Sequence, residues 1–253
     1  MSNMTFNKEK KQTSIFVTAG FPKVDSLQEQ ILFLQEKGID FIEVGIPFSD
    51  PMADGEKIQE TSSIAIKNGM NIKLLFEQLL EIKSNISIPL VMMSYFNPIF
   101  TFGLEKFLEK CQQVNIKNVI IPDISLEVYE RNYLSIFEKY GVNICFLVTP
   151  NTENERIQKM AKYSENGFVY LVSQNATTGN ESKEEVNEVQ KNRYSEIKKL
   201  CKNTPMMIGF GIKNRHDLQV AHDFSDGGII GTAYLNALSA GKEDQFIDAL
   251  FGE

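Results

Sequence analysis

The chain has 253 residues, 42% of them hydrophobic and 23% charged, with a formal net charge of −7. That length supplies a full core and fits one large α/β domain or two small ones. The acidic balance argues against nucleic acid as a partner, and no apolar run approaches the ~20 residues that a membrane span needs.

In chain order, short β-rich runs are predicted at residues 14–18, 41–45, 90–94, 118–122, 143–148, 168–172, 206–209 and 228–231. Between them, apolar residues recur at helical spacing: Leu27, Ile31 and Leu34, then Leu75, Leu79 and Ile82, then residues 107–111. Ser26 signals one helix start, and Asn151 with Glu153 and Glu155 another. Gly38, Gly69 and Gly141 sit where helices should stop.

Strands alternating with helices imply a parallel sheet with right-handed crossovers. Eight such units at this length predict an α/β fold, a closed (β/α)₈ TIM barrel, spanning residues 1–253 as a single domain. An open doubly wound sheet is the alternative. Against it, Gly209-Phe210-Gly211 lacks the third glycine of a dinucleotide fingerprint and falls near the end of the chain. No linker or low-complexity tract marks a boundary.

Cys111, Cys145 and Cys201 are widely spaced and odd in number, which predicts reduced thiols in a cytoplasmic setting rather than a disulfide scaffold. Lys8, Lys10 and Lys11 are followed only by the short apolar run Ile15-Phe16-Val17, so no signal segment is read there. No cluster of His, Cys, Asp and Glu has metal-ligand spacing.

The second predicted strand carries the chemistry. Side chains alternate faces, so Phe41, Glu43 and Gly45 share one side while Ile42 and Val44 share the other. An acid in mid-strand among apolar residues is costly to ionise and answers with a raised pKa. In a barrel, active groups lie at the C-terminal strand ends and the loops that follow, which places Glu43 and the loop residue Asp54 together. Two carboxyls can divide acid and base duties when their surroundings push their pKa values apart. Asp50 and Asp54 also suit plain turn or capping roles beside Pro and Gly. His216 and His222 both fall in the helix after the seventh strand, away from that position. Tyr95 and Tyr170 are strand-end residues able to donate a hydrogen bond, although either also fits an amphipathic core position.

The last third adds glycines at neighbouring strand ends: Thr178-Gly179, Gly209-Phe210-Gly211 and Gly231-Thr232. Glycine lets backbone N–H groups approach a ligand, and the loops after strands 7 and 8 form the common phosphate site of such barrels. The acidic net charge does not exclude a small anionic substrate held in this way.

The string Glu43-Val44-Gly45-Ile46-Pro47-Phe48-Ser49-Asp50-Pro51-Met52-Ala53-Asp54-Gly55 closely resembles the signature of the tryptophan synthase alpha subunit family. The resemblance runs along almost the whole chain. It includes Phe16-Val17-Thr18-Ala19-Gly20, Tyr95-Phe96-Asn97-Pro98, Pro122-Asp123, Gly209-Phe210-Gly211-Ile212 and Gly231-Thr232-Ala233. It implies a (β/α)₈ barrel that cleaves indole-3-glycerol phosphate to indole and glyceraldehyde 3-phosphate by a retro-aldol reaction. Carried over, Glu43 is the general acid/base, Asp54 faces the indole N–H, and Tyr170 lies near the reacting centre. Phe16, Met93, Leu147 and Phe210 match the indole pocket, and Gly179, Gly211, Gly231 and Thr232 match the phosphate site. The resemblance also implies a beta subunit carrying pyridoxal phosphate, with no cofactor in this chain. The expected assembly is an alpha2beta2 heterotetramer, with Pro47, Asp50, Asn97 and Pro98 at or near the interface.

The chain departs from the family pattern at Ala176 and Thr177, in the loop after the sixth strand, and at Ser125, where a proline is common. Three rivals remain at this level. One is a different sugar-phosphate barrel enzyme, although Lys213 is the nearest Schiff-base candidate and sits past Gly211 in a loop. The others are a non-catalytic activating subunit and a free-standing indole-releasing lyase.

Overall fold

The computed structural model describes residue 6 and residues 8–172, 188–209 and 211–252. Its first half runs β1 (Gln12–Thr18), α1 (Ser26–Glu36), β2 (Phe41–Gly45), α2 (Glu56–Lys67), α3 (Ile72–Ile82), β3 (Leu90–Met93), α4 (Phe96–Phe102), α5 (Leu104–Gln113) and β4 (Asn118–Ile120). A helical stretch follows, with α6 (Leu126–Val128) and α7 (Leu134–Tyr140) joined by one π-helical turn, Tyr129–Tyr133. The second half runs β5 (Asn143–Ile144), β6 (Leu147–Val148), α8 (Asn154–Tyr163), β7 (Val169–Val172), α9 (Glu188–Leu200), β8 (Met206–Gly209), α10 (Arg215–Phe224), β9 (Gly227–Ile230), α11 (Thr232–Ser239) and α12 (Glu243–Phe251).

Every strand pairing is parallel, and the sheet order is β5-β4-β3-β2-β1-β9-β8-β7-β6. The two edge strands are consecutive pieces of chain, so the sheet curls until β5 and β6 meet through Cys145 and Phe146. This corrects the single strand predicted at 143–148. The Phe146 N–H turns to the Ser164 hydroxyl at 3.1 Å, while Cys145 N–H bonds Val119 on one side and the Phe146 carbonyl accepts from Tyr170 on the other. A bend there lets one run of chain serve both neighbours. The barrel prediction holds, with its fifth stave broken in two.

The outer helices present the faces that their spacing predicts. α1 buries Leu27, Ile31 and Leu34, α3 buries Leu75 and Leu79, and α5 buries Phe107, Leu108 and Cys111. The buried apolar side chains form one continuous cluster. Gly38, Gly69 and Gly141 all take positive φ at the ends of helices, where a residue without a Cβ is unstrained. Two expected starts differ in detail. The Ser26 hydroxyl accepts from Lys23 N–H ahead of α1, and α8 begins at Asn154 after a turn in which Thr152 accepts from Thr149 N–H. Ser125, in the place where the family favours proline, caps α6 by accepting from Val128 N–H at 3.3 Å.

Ile31 is fully buried in α1, and the Asn71 side chain caps α3 by accepting from Leu74 N–H at 3.1 Å. Ile31→Ala should lower unfolding stability by about 2–5 kcal/mol and Asn71→Ala by about 1 kcal/mol, read as shifts of the urea midpoint at unchanged slope.

Candidate active site

The alternation read from β2 places Glu43 inside the barrel. In the parallel register it stands beside Phe16 of β1 and Val91 of β3, and it is 1% exposed. Neither carboxyl oxygen has a hydrogen-bond partner among the described residues. Burial, reinforced by the charge of Asp54, pushes its pKa up to about 8. An acid so placed holds its proton at neutral pH.

Asp54 lies at the end of the loop after β2, just ahead of α2. Burial pushes its carboxyl up to about 6, and a hydrogen bond from Tyr95 draws it back. The Tyr95 hydroxyl also accepts from Ala53 N–H at 2.8 Å, and the Gln59 side chain donates to the Asp54 carbonyl at 2.8 Å. The loop is therefore held from Tyr95 at the start of α4 and from α2 at once. Tyr170, on the inner face of β7, is 6% exposed, and its phenol is raised by burial and by the charges of Glu43 and Asp54. Glu43, Asp54 and Tyr170 thus share one electrostatic neighbourhood.

Two glycines make room for the rings that shape this space. A Cβ on Gly45 would fall 2.4 Å from the Phe16 ring, and one on Gly209 would fall 2.1 Å from Tyr170. Both separations are far below van der Waals contact, so larger residues there would displace an aromatic wall. Phe16 and Met93 line the cleft with Ile46, Ile58 and Asp54, while Thr18, Ser62 and Ser94 add hydroxyls. Of these, Ile46, Ile58, Thr18, Ser62 and Ser94 were not among the sequence candidates. Ile58 lies in the first turn of α2, directly after the loop that carries Asp54.

The remaining candidates are distributed as follows. Leu147 is half-buried and pairs in register with Tyr170, but it does not line that cleft. Gly211 is exposed at φ +84° just past β8. Gly231 and Thr232 open α11 at the end of β9, with Gly231 beside Phe16 and Ile58. Thr178, Gly179 and Phe210, with Ala176 and Thr177, lie outside the described residues. At the same rim Pro47 is buried, Pro98 half-buried, and Asp50 and Asn97 exposed. Met52 is 96% exposed and Phe100 65% exposed among them. Asp123, at the end of the fourth strand, accepts from Phe96 N–H at 2.8 Å and so fixes the start of α4.

His216 is exposed, and His222 rests against the Gln12 carbonyl at the opposite mouth of the barrel. All three cysteines are buried. Among the described residues no group of three or more His, Cys, Asp and Glu could hold a metal ion, and no helix is long and apolar enough to cross a membrane. A larger hollow, about 270 Å³, lies between α3, α4 and α5 in the outer layer, remote from the strand ends.

A closed parallel barrel with a buried acid on β2 and a half-buried acid in the loop that follows has the layout of a barrel enzyme suited to proton transfer. Comparison with known proteins supplies the family. The sequence model described as tryptophan synthase alpha chain matches residues 3–249. The tryptophan synthase alpha chain of Flavobacterium psychrophilum is 44% identical over 237 residues, covering 94% of this chain and 92% of that one. That of Bacteroides thetaiotaomicron is 42% identical over 244 residues, covering 96% and 94%. Among solved structures, the tryptophan synthase A-subunit of Pyrococcus furiosus superimposes with a TM-score of 0.85 at 29% identity, covering 99% of this chain and all of that one. The chain belongs to the tryptophan synthase alpha chain family and is a lyase of tryptophan biosynthesis.

Two outcomes follow from the carboxyls. Tyr95→Phe removes the hydrogen bond that favours ionised Asp54, so the Asp54 pKa should rise above its value of about 6, measured by carboxyl carbon NMR. The folded chain also keeps the Glu43 proton up to about pH 8, whereas an ordinary Glu loses it near 4.5. Between those values the folded state binds more protons than the unfolded state, so this contribution to stability falls as pH rises. Glu43→Gln removes that slope. Its stability relative to the parent should therefore climb from pH 6 to pH 8, by at most about 1.4 kcal/mol per pH unit in urea titrations.

Proposed function

We propose that this chain cleaves indole-3-glycerol phosphate to indole and glyceraldehyde 3-phosphate with Glu43 and Asp54 as its acid–base pair. The observation that carries this reading is the difference in burial. Glu43 is 1% exposed with no partner on either oxygen among the described residues, while Asp54 is half-buried and Tyr95 donates to it. That difference holds their pKa values at about 8 and about 6. At neutral pH the first arrives protonated and the second ionised. Glu43 gives its proton to indole C3, which leaves positive charge on the ring nitrogen. Ionised Asp54 faces that charge and stabilises it where water is scarce. The C–C bond then breaks, its electron pair returns to the ring, and the adjacent glycerol hydroxyl becomes the aldehyde as its proton returns to Glu43. One proton enters and one leaves, so the carboxyl is restored.

Tyr170 closes the reacting centre from β7. Phe16 and Met93 wall the indole pocket from the cleft, Leu147 is assigned to it from its place beside Tyr170, and Phe210 is assigned to it with them, while Gly179, Gly211, Gly231 and Thr232 are assigned to the phosphate. For the last two, support comes from the start of α11, where free backbone N–H groups and the helix dipole favour an anion. Positioned proton transfer supplies ~10²–10⁴-fold in rate, so the pocket and the Asp54 charge contribute the rest.

The chain acts as one domain in the cytoplasm, with a beta subunit that carries pyridoxal phosphate, as an alpha2beta2 heterotetramer. Pro47, Asp50, Asn97 and Pro98 face that partner. Exposed Met52 and Phe100 on the same rim favour this assignment, because apolar groups of that size are commonly covered by a partner. A solved Pyrococcus furiosus relative, 28% identical, is described as a tryptophan synthase complex.

Indole release from indole-3-glycerol phosphate, measured with and without the beta subunit, tests the reading. Release should be slow alone, rise strongly with the partner, and fall by at least ~10²-fold in Glu43→Gln, with Asp54→Asn nearly as impaired. Near-normal turnover in the Glu43 variant removes the assignment, and fast release without a partner points to a free-standing lyase.

A further inference from the structure

Lys8, Lys10 and Lys11 take no part in the cleft, yet they fasten the chain ahead of β1 to the far end of the barrel. The Lys8 ammonium donates to the Lys202 carbonyl, Lys10 pairs with Asp40 at 2.6 Å, and Lys11 donates to the Ser225 carbonyl. Those three partners precede β8, β2 and β9, so the ties reach separate points on the N-terminal rim. Phe6, on the same segment, is 8% exposed. Its ring meets Phe41 edge-on at 5.0 Å and Phe168 at 5.1 Å, and those two rings stand 5.4 Å apart.

The position of this trio matters. Phe41 precedes Glu43 by two residues on the same face of β2, and Phe168 precedes Tyr170 in the same way. Two residues of parallel strand span about 6.6 Å. The three rings therefore lie about one such step below the carboxyl, on the side of the N-terminal mouth.

We propose that Phe6 is a positioning residue for the acid–base chemistry: it completes the aromatic layer that stops the N-terminal mouth and keeps water from reaching Glu43 from below. The inference rests on Glu43 being the acid of the proposed reaction, but its decisive readout needs no substrate.

The titratable groups facing Glu43 are Asp54 from the loop after β2, Tyr170 from β7 and Cys145 from the β5–β6 bend. Burial holds the Tyr170 phenol well above its ordinary value and the Cys145 thiol up to about 12, so both stay neutral while Glu43 titrates. Desolvation leads the rise at Glu43 and the Asp54 charge follows. Water admitted past position 6 acts on the leading cause and leaves Asp54 in place.

The test follows the protonated carboxyl band of Glu43 by difference infrared spectroscopy against pH, on the full chain, with the band assigned by its loss in Glu43→Gln. The parent should titrate near its value of about 8, and Phe6→Leu, which keeps most of the apolar volume, should stay with it. Phe6→Ala should titrate lower by about one pH unit or more, with Phe6→Val between. The pH profile of indole release should move with the band. A lower melting temperature with the band unmoved in Phe6→Ala and Phe6→Val overturns the proposal, since that is what a merely structural plug does. Should Phe6→Ala fail to fold, Phe6→Val carries the decision. A moved band in a chain that releases no indole keeps the plug and removes the reaction.

Discussion

A carboxyl group stands inside the barrel where solvent is scarce, and the arrangement around it answers to that fact. Ionising Glu43 there is opposed chiefly by desolvation, and neither of its oxygens has a compensating hydrogen bond among the described residues. A parallel barrel can hold such a group because its strands satisfy their own backbone. An inward side chain can then be left unpaired without disturbing the ladder. The same burial that is unfavourable for stability keeps a proton on an acid at neutral pH.

The neighbours of Glu43 divide by height in the barrel. Above it, Asp54 is carried on a loop that Tyr95 and Gln59 hold from two sides, so a second acid stays close while remaining partly solvated. That difference in exposure separates the two pKa values and lets chemically similar groups take opposite protonation states. Below it, Phe6, Phe41 and Phe168 fill the interior with rings. Gly45 and Gly209 give up their side chains so that Phe16 and Tyr170 can lean across the opening. The two acids lie toward the C-terminal strand ends and the three rings toward the N-terminal mouth, and it is the C-terminal end that carries the active site in this fold.

Much of this was legible in the residues. The eight β-rich runs and the spacing of Leu27, Ile31 and Leu34 sufficed for the barrel, and the alternation around Glu43 sufficed for its inward face. The signature from Glu43 to Gly55 carried the family, now supported by relatives above 40% identity. Other features were hidden for physical reasons. The break at Cys145 and Phe146 depends on the Ser164 hydroxyl capturing a backbone N–H from 18 positions away, which no local pattern encodes. Thr18 ends β1, Ile46 and Ser94 directly follow β2 and β3, and Ser62 lies in α2, so their place on the cleft wall is set by the curl of the sheet. The lysines at 8, 10 and 11 bore in the sequence only on the question of a signal segment, because their acceptors are two carbonyls and one carboxylate far along the chain.

What the sequence determined by itself was therefore periodic or contiguous: the order of strands and helices, the face on which Glu43 points, and a signature whose residues are neighbours in the chain. Tertiary structure alone decided the properties that depend on distance through space. These are the separation of the Glu43 and Asp54 pKa values, the clamp of Tyr95 on the acidic loop, and the seating of Phe6 against Phe41 and Phe168. Desolvation and charge–charge coupling act between groups that the chain brings together only when the barrel closes, and no spacing along the backbone records them.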